Sequence, residues 1–315
     1  MKINEVDRVE IITLQDNYIN LTDVNTNPII MRASSLDGLE MKKSILAEHG
    51  FSAVIRAISA DKTREMVFDF GFSEHGAAYN ARMLGLDLKG IEAMALSHGH
   101  ADHTGAFMAI VEMIDRPGTE FVVHPGVFSS PRYVRNGEEI TKRFPGFSKD
   151  MVIASGVKLI EAIDPYQLLD GDVLFLGEIP RRTDFEPGMP MAYMEVDGVE
   201  QVDTIRDDTA VVLNLKGKGL IILSGCAHSG IINTVQYAQE VTGVEKVHAV
   251  MGGFHLSNPL FEPIVKRTTQ EFKKIAPDYV VPTHCTGRKA TMHIEQEMPD
   301  QFVLNMSGTQ LMFNA

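Results

Sequence analysis

Four short apolar runs in this chain each stop at a histidine set among small residues. "IEAMALS" runs into "HGHADH", "GLIILSG" into "CAH", "KVHAVMGG" into "FH", and "YVVPT" into "H". Apolar runs of this length, rich in Val, Ile and Leu and bounded by turn residues, read as strands. Between them lie stretches with helical apolar spacing, "AFMAIVEMI", "GIINTVQYAQEVTG" and "PIVKRTTQEFKKIA". An earlier one, "SEHGAAYNARMLG", ends at Gly85, a residue suited to a helix C-terminus. Nearer the start, "VDRVEIITL", "FSAVIRAIS" and "REMVFDFG" read as strands, the last two joined by the polar turn "ADKT". "TEFVVH" and "TAVVLNL" add two more, and "QFVLNMSGTQLMFN" reads as a closing hairpin. Strands first and strand–helix units after predict an α/β fold, layered sheets with helices outside them, over 1–315 as one domain. The stretch from about 126 to 190 breaks this rhythm with irregular Gly, Pro and charge, and is expected to be an insertion that walls a pocket.

Polar side chains at strand ends are the natural candidates for chemistry. The densest set is "ALSHGHADHTGA", with His98, His100, Asp102 and His103. Extended backbone turns His98 and His100 to the same face, and Gly99 between them lets another backbone approach closely. Asp102 and His103 follow as the chain turns toward a helix that Thr104 could cap. Imidazole and carboxylate together suit zinc, iron or manganese. Two pairs suggest two ions, one on His98 and His100, the other on Asp102 and His103. The rival reading, a solvated loop of mutually hydrogen-bonded histidines, suits a lone histidine better than H-x-H-x-D-H closing an apolar run. Further ligands must come from far along the chain. His228 in "ILSGCAHSG", His255 in "MGGFHL" and His284 in "PTHCTG" have the placement a crowded site requires. His49, His75, His124, His248 and His293 lack it or show it weakly.

Composition narrows the partners. The formal net charge is −13 over 315 residues, which argues against a general nucleic-acid or anionic-membrane binder. It leaves room for an anionic small molecule at a local cation or metal. The opening "MKINEVDRVEII" has no apolar signal core, and no apolar run is long enough to span a bilayer. Two cysteines, Cys226 and Cys285, imply no disulfide framework. The expectation is a cytoplasmic protein with a small-molecule substrate; its oligomeric state is open.

Taken together, these segments resemble the metallo-β-lactamase superfamily, whose hallmark is H-x-H-x-D-H after a strand. "MVFDFG" resembles its upstream motif, with Asp69 supporting the ligands. "SHGHADHTG", "GEIPRRTDFE", "DDTAVVL", "GLIILSGCAHSGIINT", "GGFHL" and "PTHCTG" are similar to one branch of it. That branch carries the name 7,8-dihydropterin-6-methyl-4-(β-D-ribofuranosyl)-aminobenzene-5'-phosphate synthase. The resemblance implies a four-layer αββα sandwich with two divalent metal ions, zinc first and iron or manganese as alternatives. It implies His98, His100 and His228 on one ion and Asp102, His103 and His284 on the other. The chain departs from the superfamily in two places. "RDDTAVVL" lacks the usual third histidine, and Cys226 stands where a bridging aspartate would be.

Other residues keep two readings each. His255 is a metal ligand, a substrate contact or a proton-transfer group, since imidazole titrates near neutrality. Cys226 is a thiolate ligand or a small buried residue beside the cage, and Cys285 is expected to face away. Asp207 and Asp208 orient ligands or cap a strand. Arg181 and Arg182 clamp a substrate phosphate or carboxylate, or form surface ion pairs. His124 and Arg132 are candidates for the pocket lining. In catalysis Asp102 would ligate and orient a nucleophilic water, and His255 would move the proton. Three functions compete: a metal-dependent hydrolase of a small phosphorylated or carboxylated substrate, a pterin-transferring synthase releasing pyrophosphate, and a metal-loaded binder without turnover.

Overall fold

The computed structural model describes residues 1–315 except Val24, Asn25, Asp61 and Asp197. Asp61 of the "ADKT" turn therefore lies outside the described residues. Two large sheets stack face to face. The first runs in the order Lys158–Glu161, Glu120–Val123, Ile91–Ala95, Lys62–Phe68, Ser52–Ser59, Arg8–Gln15, Gln310–Asn314, Ile30–Met31. The second runs Tyr166–Leu168, Val173–Phe175, Ala210–Leu215, Gly219–Ser224, Val247–Gly253, Tyr279–Thr283, with Glu5–Val6 also paired to Ala210–Leu215. Period-two alternation sorts side chains between the layers. Val211, Leu213 and Leu215 join the apolar layer between the sheets, whereas Ala210 and Val212 face outward.

The described residues form six α-helices: α1 Gly76–Met83, α2 Phe107–Ile114, α3 Lys149–Ala154, α4 Ile231–Thr242, α5 Glu262–Ile275 and α6 Arg288–Glu297. The first three cover the outer face of the first sheet through Ala77, Ala81, Phe107, Ile110 and Val152. The last three cover the second through Ile231, Val235, Phe272 and Ile294. The result is the helix–sheet–sheet–helix order of an αββα sandwich. Burying each large apolar side chain in these layers contributes about 1.5–3 kcal/mol. No helix among the described residues is long and apolar enough to cross a membrane.

The stretch 126–190 divides between several structures. Arg132–Asn136 and Glu139–Phe144 form a hairpin that continues into Ala192–Val196 and Val199–Val202, a separate four-stranded sheet. Lys158–Glu161 instead extends the first large sheet, and Tyr166–Leu168 with Val173–Phe175 extend the second. Two local expectations are corrected. The closing hairpin is a single strand, Gln310–Asn314. Residues before it are held by other partners: Asn305 Nδ2 donates to Asp16 Oδ2 at 2.6 Å and Gly308 N to Thr13 O at 2.8 Å. Thr104 does not cap α2. Gly105 N and Ala106 N donate to Gly71 O and Phe70 O, and the helix starts at Phe107 with no side-chain cap.

Within each sheet the strands that carry the predicted site run parallel. Lys62–Phe68 pairs with Ile91–Ala95 in the first, and Gly219–Ser224, Val247–Gly253 and Tyr279–Thr283 pair in the second. Parallel pairing brings their C-terminal ends to one edge of each sheet, where Asp69, His98–His103, Cys226, His228, His255 and His284 lie.

Candidate metal centre

The site is built outward from Asp69, which ends the Lys62–Phe68 strand at φ 61°. Its Oδ1 accepts the Ser97 amide at 2.7 Å, and its Oδ2 accepts the Ser97 hydroxyl at 2.7 Å. The same Oδ2 lies 2.6 Å from His103 Nδ1. Ser97 Oγ lies 3.0 Å from His98 Nδ1. These contacts hold the ring protons on Nδ1 and turn both Nε2 lone pairs inward, as ligand histidines require. Asp207 Oδ2 accepts the Gly99 amide at 2.8 Å and so fixes the turn between His98 and His100. Gly99 packs so tightly that a Cβ there would overlap Val127 O, and one at Gly225 would overlap Ser97 Oγ.

Around this frame, seven donors gather in two groups. His98, His100 and His228 bring one ligand atom each within 4.8 Å of one another, and Asp102, His103, Cys226 and His284 do the same. His98 Nε2 and His228 Nε2 are 3.2 Å apart. Two nitrogens on one tetrahedral zinc lie about 3.3 Å apart, given Zn–N bonds of about 2.0–2.1 Å. In the second group, His284 Nε2 is 3.1 Å from Asp102 Oδ2, and His103 Nε2 is 3.1 Å from Cys226 Sγ. His100 Nε2 and His228 Nδ1 are buried with no hydrogen-bond partner. Buried polar atoms are rarely left so, and a cation is the partner that a lone pair at His100 Nε2 fits. Donor types, spacing and the orphaned nitrogen all suit a pair of divalent ions.

The backbone is strained where the second sheet delivers its donors. Ala227 (φ 45°), His255 (φ 48°) and His284 (φ 40°) take left-handed conformations, costing about 1–3 kcal/mol each, a cost that clusters at functional sites.

Electrostatics follow burial. Desolvation, with the neighbouring imidazoles, pushes His98 and His228 well below the usual histidine range. Burial takes His100 to about 3 and His284 to about 4. These rings are neutral near pH 7, the form in which imidazole binds metal. His103 goes the other way. Burial opposes its charge, but Asp69 and Asp102 outweigh that and raise it. Asp102 is held well below the carboxylate range: His103, His284 and His49 together overcome its burial. Burial, with Cys285 beside it, pushes the Cys226 thiol up.

His255 tilts against His228, with ring centroids 4.3 Å apart, and lies edge-on to Phe261 at 4.7 Å. Burial pushes it down to about 4. It lines a narrow crevice with Pro187, Phe254, Leu256 and Phe261. The two arginines of "GEIPRRTDFE" meet protein partners. Arg182 ion-pairs with exposed Glu240, and Arg181 Nη2 donates to Ile205 O at 3.4 Å. Their segment is docked by Glu186, whose carboxylate accepts the first α4 amides, Ile232 N at 2.8 Å and Asn233 N at 3.0 Å. Asp208 Oδ2 accepts Ser229 N at 2.8 Å. Arg132 is buried on Asp207, and His124 lies 3.7 Å from Glu178.

Two neighbours escape the strand-end criterion. His49 lies 3.4 Å from Asp102 Oδ2 and stands on the loop that leads into the Ser52–Ser59 strand, before an apolar run and not after one. Phe144 stacks on His100, at 4.2 Å and 7°, from a hairpin far along the chain. Cys226 was legible, two residues before His228, yet its chemistry reads equally as packing. A cleft of about 590 Å³ also opens beside His284, lined by Asp16 and Asn17. Of the seven donors only His284 lines it, on the side of Asn17, the partner of its Nδ1 at 3.0 Å, so it lies behind the donor groups.

Comparison with known proteins points to the same fold. Residues 47–118 match the model of the metallo-beta-lactamase superfamily. The 7,8-dihydropterin-6-methyl-4-(beta-D-ribofuranosyl)-aminobenzene-5'-phosphate synthase of Methanocaldococcus jannaschii is 28% identical, over 99% of this chain and 99% of its own length. An uncharacterized protein of the same organism, MJ0448, is 30% identical over 81% of this chain and 90% of its own length. The crystal structure of Tm1679, described as a metal-dependent hydrolase of the beta-lactamase superfamily, superposes with a TM-score of 0.73. It is 23% identical and covers 98% of this chain and 100% of that one, a likeness of fold. With the αββα layers, the H-x-H-x-D-H turn and these relatives, the chain belongs to the metallo-β-lactamase superfamily.

Proposed function

We propose that the chain is a dinuclear, metal-dependent hydrolase-like enzyme acting on a small phosphorylated or carboxylated substrate. The observation that carries this is two buried donor groups side by side, with the His98 and His103 rings 4.4 Å apart. His98, His100 and His228 would hold one ion. Asp102, His103 and His284 would hold the other, with Cys226 as a further donor. The thiol favours zinc over manganese, the softer donor selecting the softer ion. Bound zinc-type ions would supply an acidified water, with a pKa of about 7, and polarise the substrate oxygen.

The chain's own groups do the rest. Asp102 is ionised near neutrality and its Oδ2 faces His284 and His49, so it can orient a water at the mouth. His255 is neutral at pH 7 and stands beside His228, so its imidazole can take a proton from a nucleophile and return it to a leaving group. The narrow crevice at His255, with Phe254, Leu256 and Phe261 on its walls, limits the water that can reach that transfer. A net charge of −13 supports a small-molecule substrate over nucleic acid or membrane.

A second reading is favoured by the relative named as a synthase, similar over 99% of this chain. In that reading the same donors would hold the ions for a pterin transfer, and the charge held there would stabilise a departing pyrophosphate. Elemental analysis and turnover separate the possibilities. We expect about two ions per chain, and His228→Ala and His284→Ala each lowering that count by about one. The loaded protein should hydrolyse bis(4-nitrophenyl) phosphate or a simple lactone, and a chelator should abolish it. Unchanged metal content in both variants would sink the ligand assignment. Full loading without turnover would favour transfer or binding.

A further inference from the structure

We propose that Lys142, held over the Phe144 ring, is the cation that receives the substrate's anionic group. This rests on the metal-dependent reading above and names the substrate class it implies, a small molecule with a second anionic group remote from the reacting bond.

The hairpin register carries the argument. Arg132 stands opposite Phe144 and Val134 opposite Lys142. Side chains two apart on a strand share a face, so Arg132, Val134, Lys142 and Phe144 share one. Two of them show where that face points. Arg132 reaches Asp207, the carboxylate holding the Gly99 amide. Phe144 lies flat on His100, 4.2 Å between centroids at 7°. Lys142 Nζ then sits 4.6 Å from the Phe144 centroid. Ligand histidine, aromatic ring and ammonium thus form one stack at the rim of the donor groups. The Lys142 charge also reaches His255, where it adds to burial in disfavouring the imidazolium.

Lys142 is uncommitted. Among the described residues no carboxylate pairs with it, whereas Arg132 pairs with Asp203 and Asp207, and Arg135 with Glu200. Arg182 is paired with Glu240, and Arg181 reaches only Ile205 O, at 3.4 Å. In a protein of net charge −13, an exposed ammonium without an acid at the rim of a metal-type site is free for an anion. Lys142 Nζ stands on the far side of Phe144 from His100, where it can meet a remote anionic group of a substrate reacting at the donors.

The test uses the full-length, zinc-loaded protein and two probes by isothermal titration calorimetry. Phenyl phosphate carries one anion; 4-carboxyphenyl phosphate carries a second across the ring. Wild type should bind the second probe more tightly. Lys142→Ala should weaken it about tenfold, equal to about 1.4 kcal/mol, while phenyl phosphate changes less than about twofold. Lys142→Arg should restore most of the affinity, Lys142→Glu should lower it further, and zinc content should stay constant. If Lys142→Ala weakens both probes equally, or neither, the assignment is overturned while the metal-dependent reading stands. If zinc-loaded wild type binds neither probe, the anionic-substrate reading fails and this assignment with it.

Discussion

Replacing Arg132 with alanine should cost the fold about 3–5 kcal/mol at pH 7.5, the penalty for breaking a buried ion pair from one side. The guanidinium is 4% exposed and reaches Asp207 through two bonds, at 2.9 and 2.5 Å. It also donates to Gly126 O at 3.1 Å and lies 3.0 Å from Asp203. Asp207 is fully buried and Asp203 nearly so. Without Arg132 two buried carboxylates keep their desolvation and lose their counter-charge. The pH dependence has a definite sign. Burial opposes ionisation of Asp207, but Arg132 outweighs it and holds the group below the usual range. Its contribution is therefore present above the unfolded value of about 4 and is lost as pH falls through the lower folded value. Asp203 is already pushed up by burial, and both should rise in the variant. Protonating them then relieves the variant near pH 5, so its deficit should be smaller there than at pH 7.5. Equilibrium urea unfolding of metal-free protein at the two pH values reads this directly. Arg132→Lys should fall between, because an ammonium keeps the charge but not the bidentate fork. A deficit under about 1 kcal/mol, the worth of a surface pair, or a gap that widens at pH 5, would refute the reasoning.

Other outcomes follow from the same geometry. Asp69→Asn removes the acceptor of His103 Nδ1 and should weaken zinc binding about 10–100-fold, measured by competition with a chromophoric chelator; a change below about twofold would contradict the role. His255→Gln should retain both ions yet lose about 10²–10⁴-fold in turnover. As a base pushed down to about 4, His255 should give wild-type activity that falls as pH drops through that region, a limb missing from the variant's pH–rate profile. Cys226→Ser should remove the sulfur-to-metal charge-transfer band of the cobalt-loaded protein, given the Sγ 3.1 Å from His103 Nε2; identical spectra would place the thiol outside the coordination sphere.

The large elements were legible because burial imposes periodicity. "GLIILS" and "VHAVMGG" are short apolar runs bounded by turn residues and are fully covered strands, and "IINTVQYAQEVT" buries Ile231, Ile232, Val235 and Ala238 at helical spacing. The end of the chain misled for the opposite reason. "QFVLNM" has strand composition, but Asn305 and Ser307 find Asp16 instead of a ladder partner. The partners of "RR" in "GEIPRRTDFE" were not legible either: Glu240, which pairs with Arg182, lies 58 residues further along the chain.

The sequence by itself determined the donor types and their local geometry, since residues two apart on extended chain must share a face. It therefore located His98 and His100 as a pair, and marked His228 and His284 as strand-end candidates. Only the tertiary structure decided which distant groups complete each set and what surrounds them. Parallel pairing sets the strand ends at one edge of each sheet, and the stacking of the two sheets brings Cys226 to His103 and His284 to Asp102. The hairpin register lays Phe144 and Lys142 over His100. Such juxtapositions depend on how sheets stack and register, long-range information that no local spacing contains.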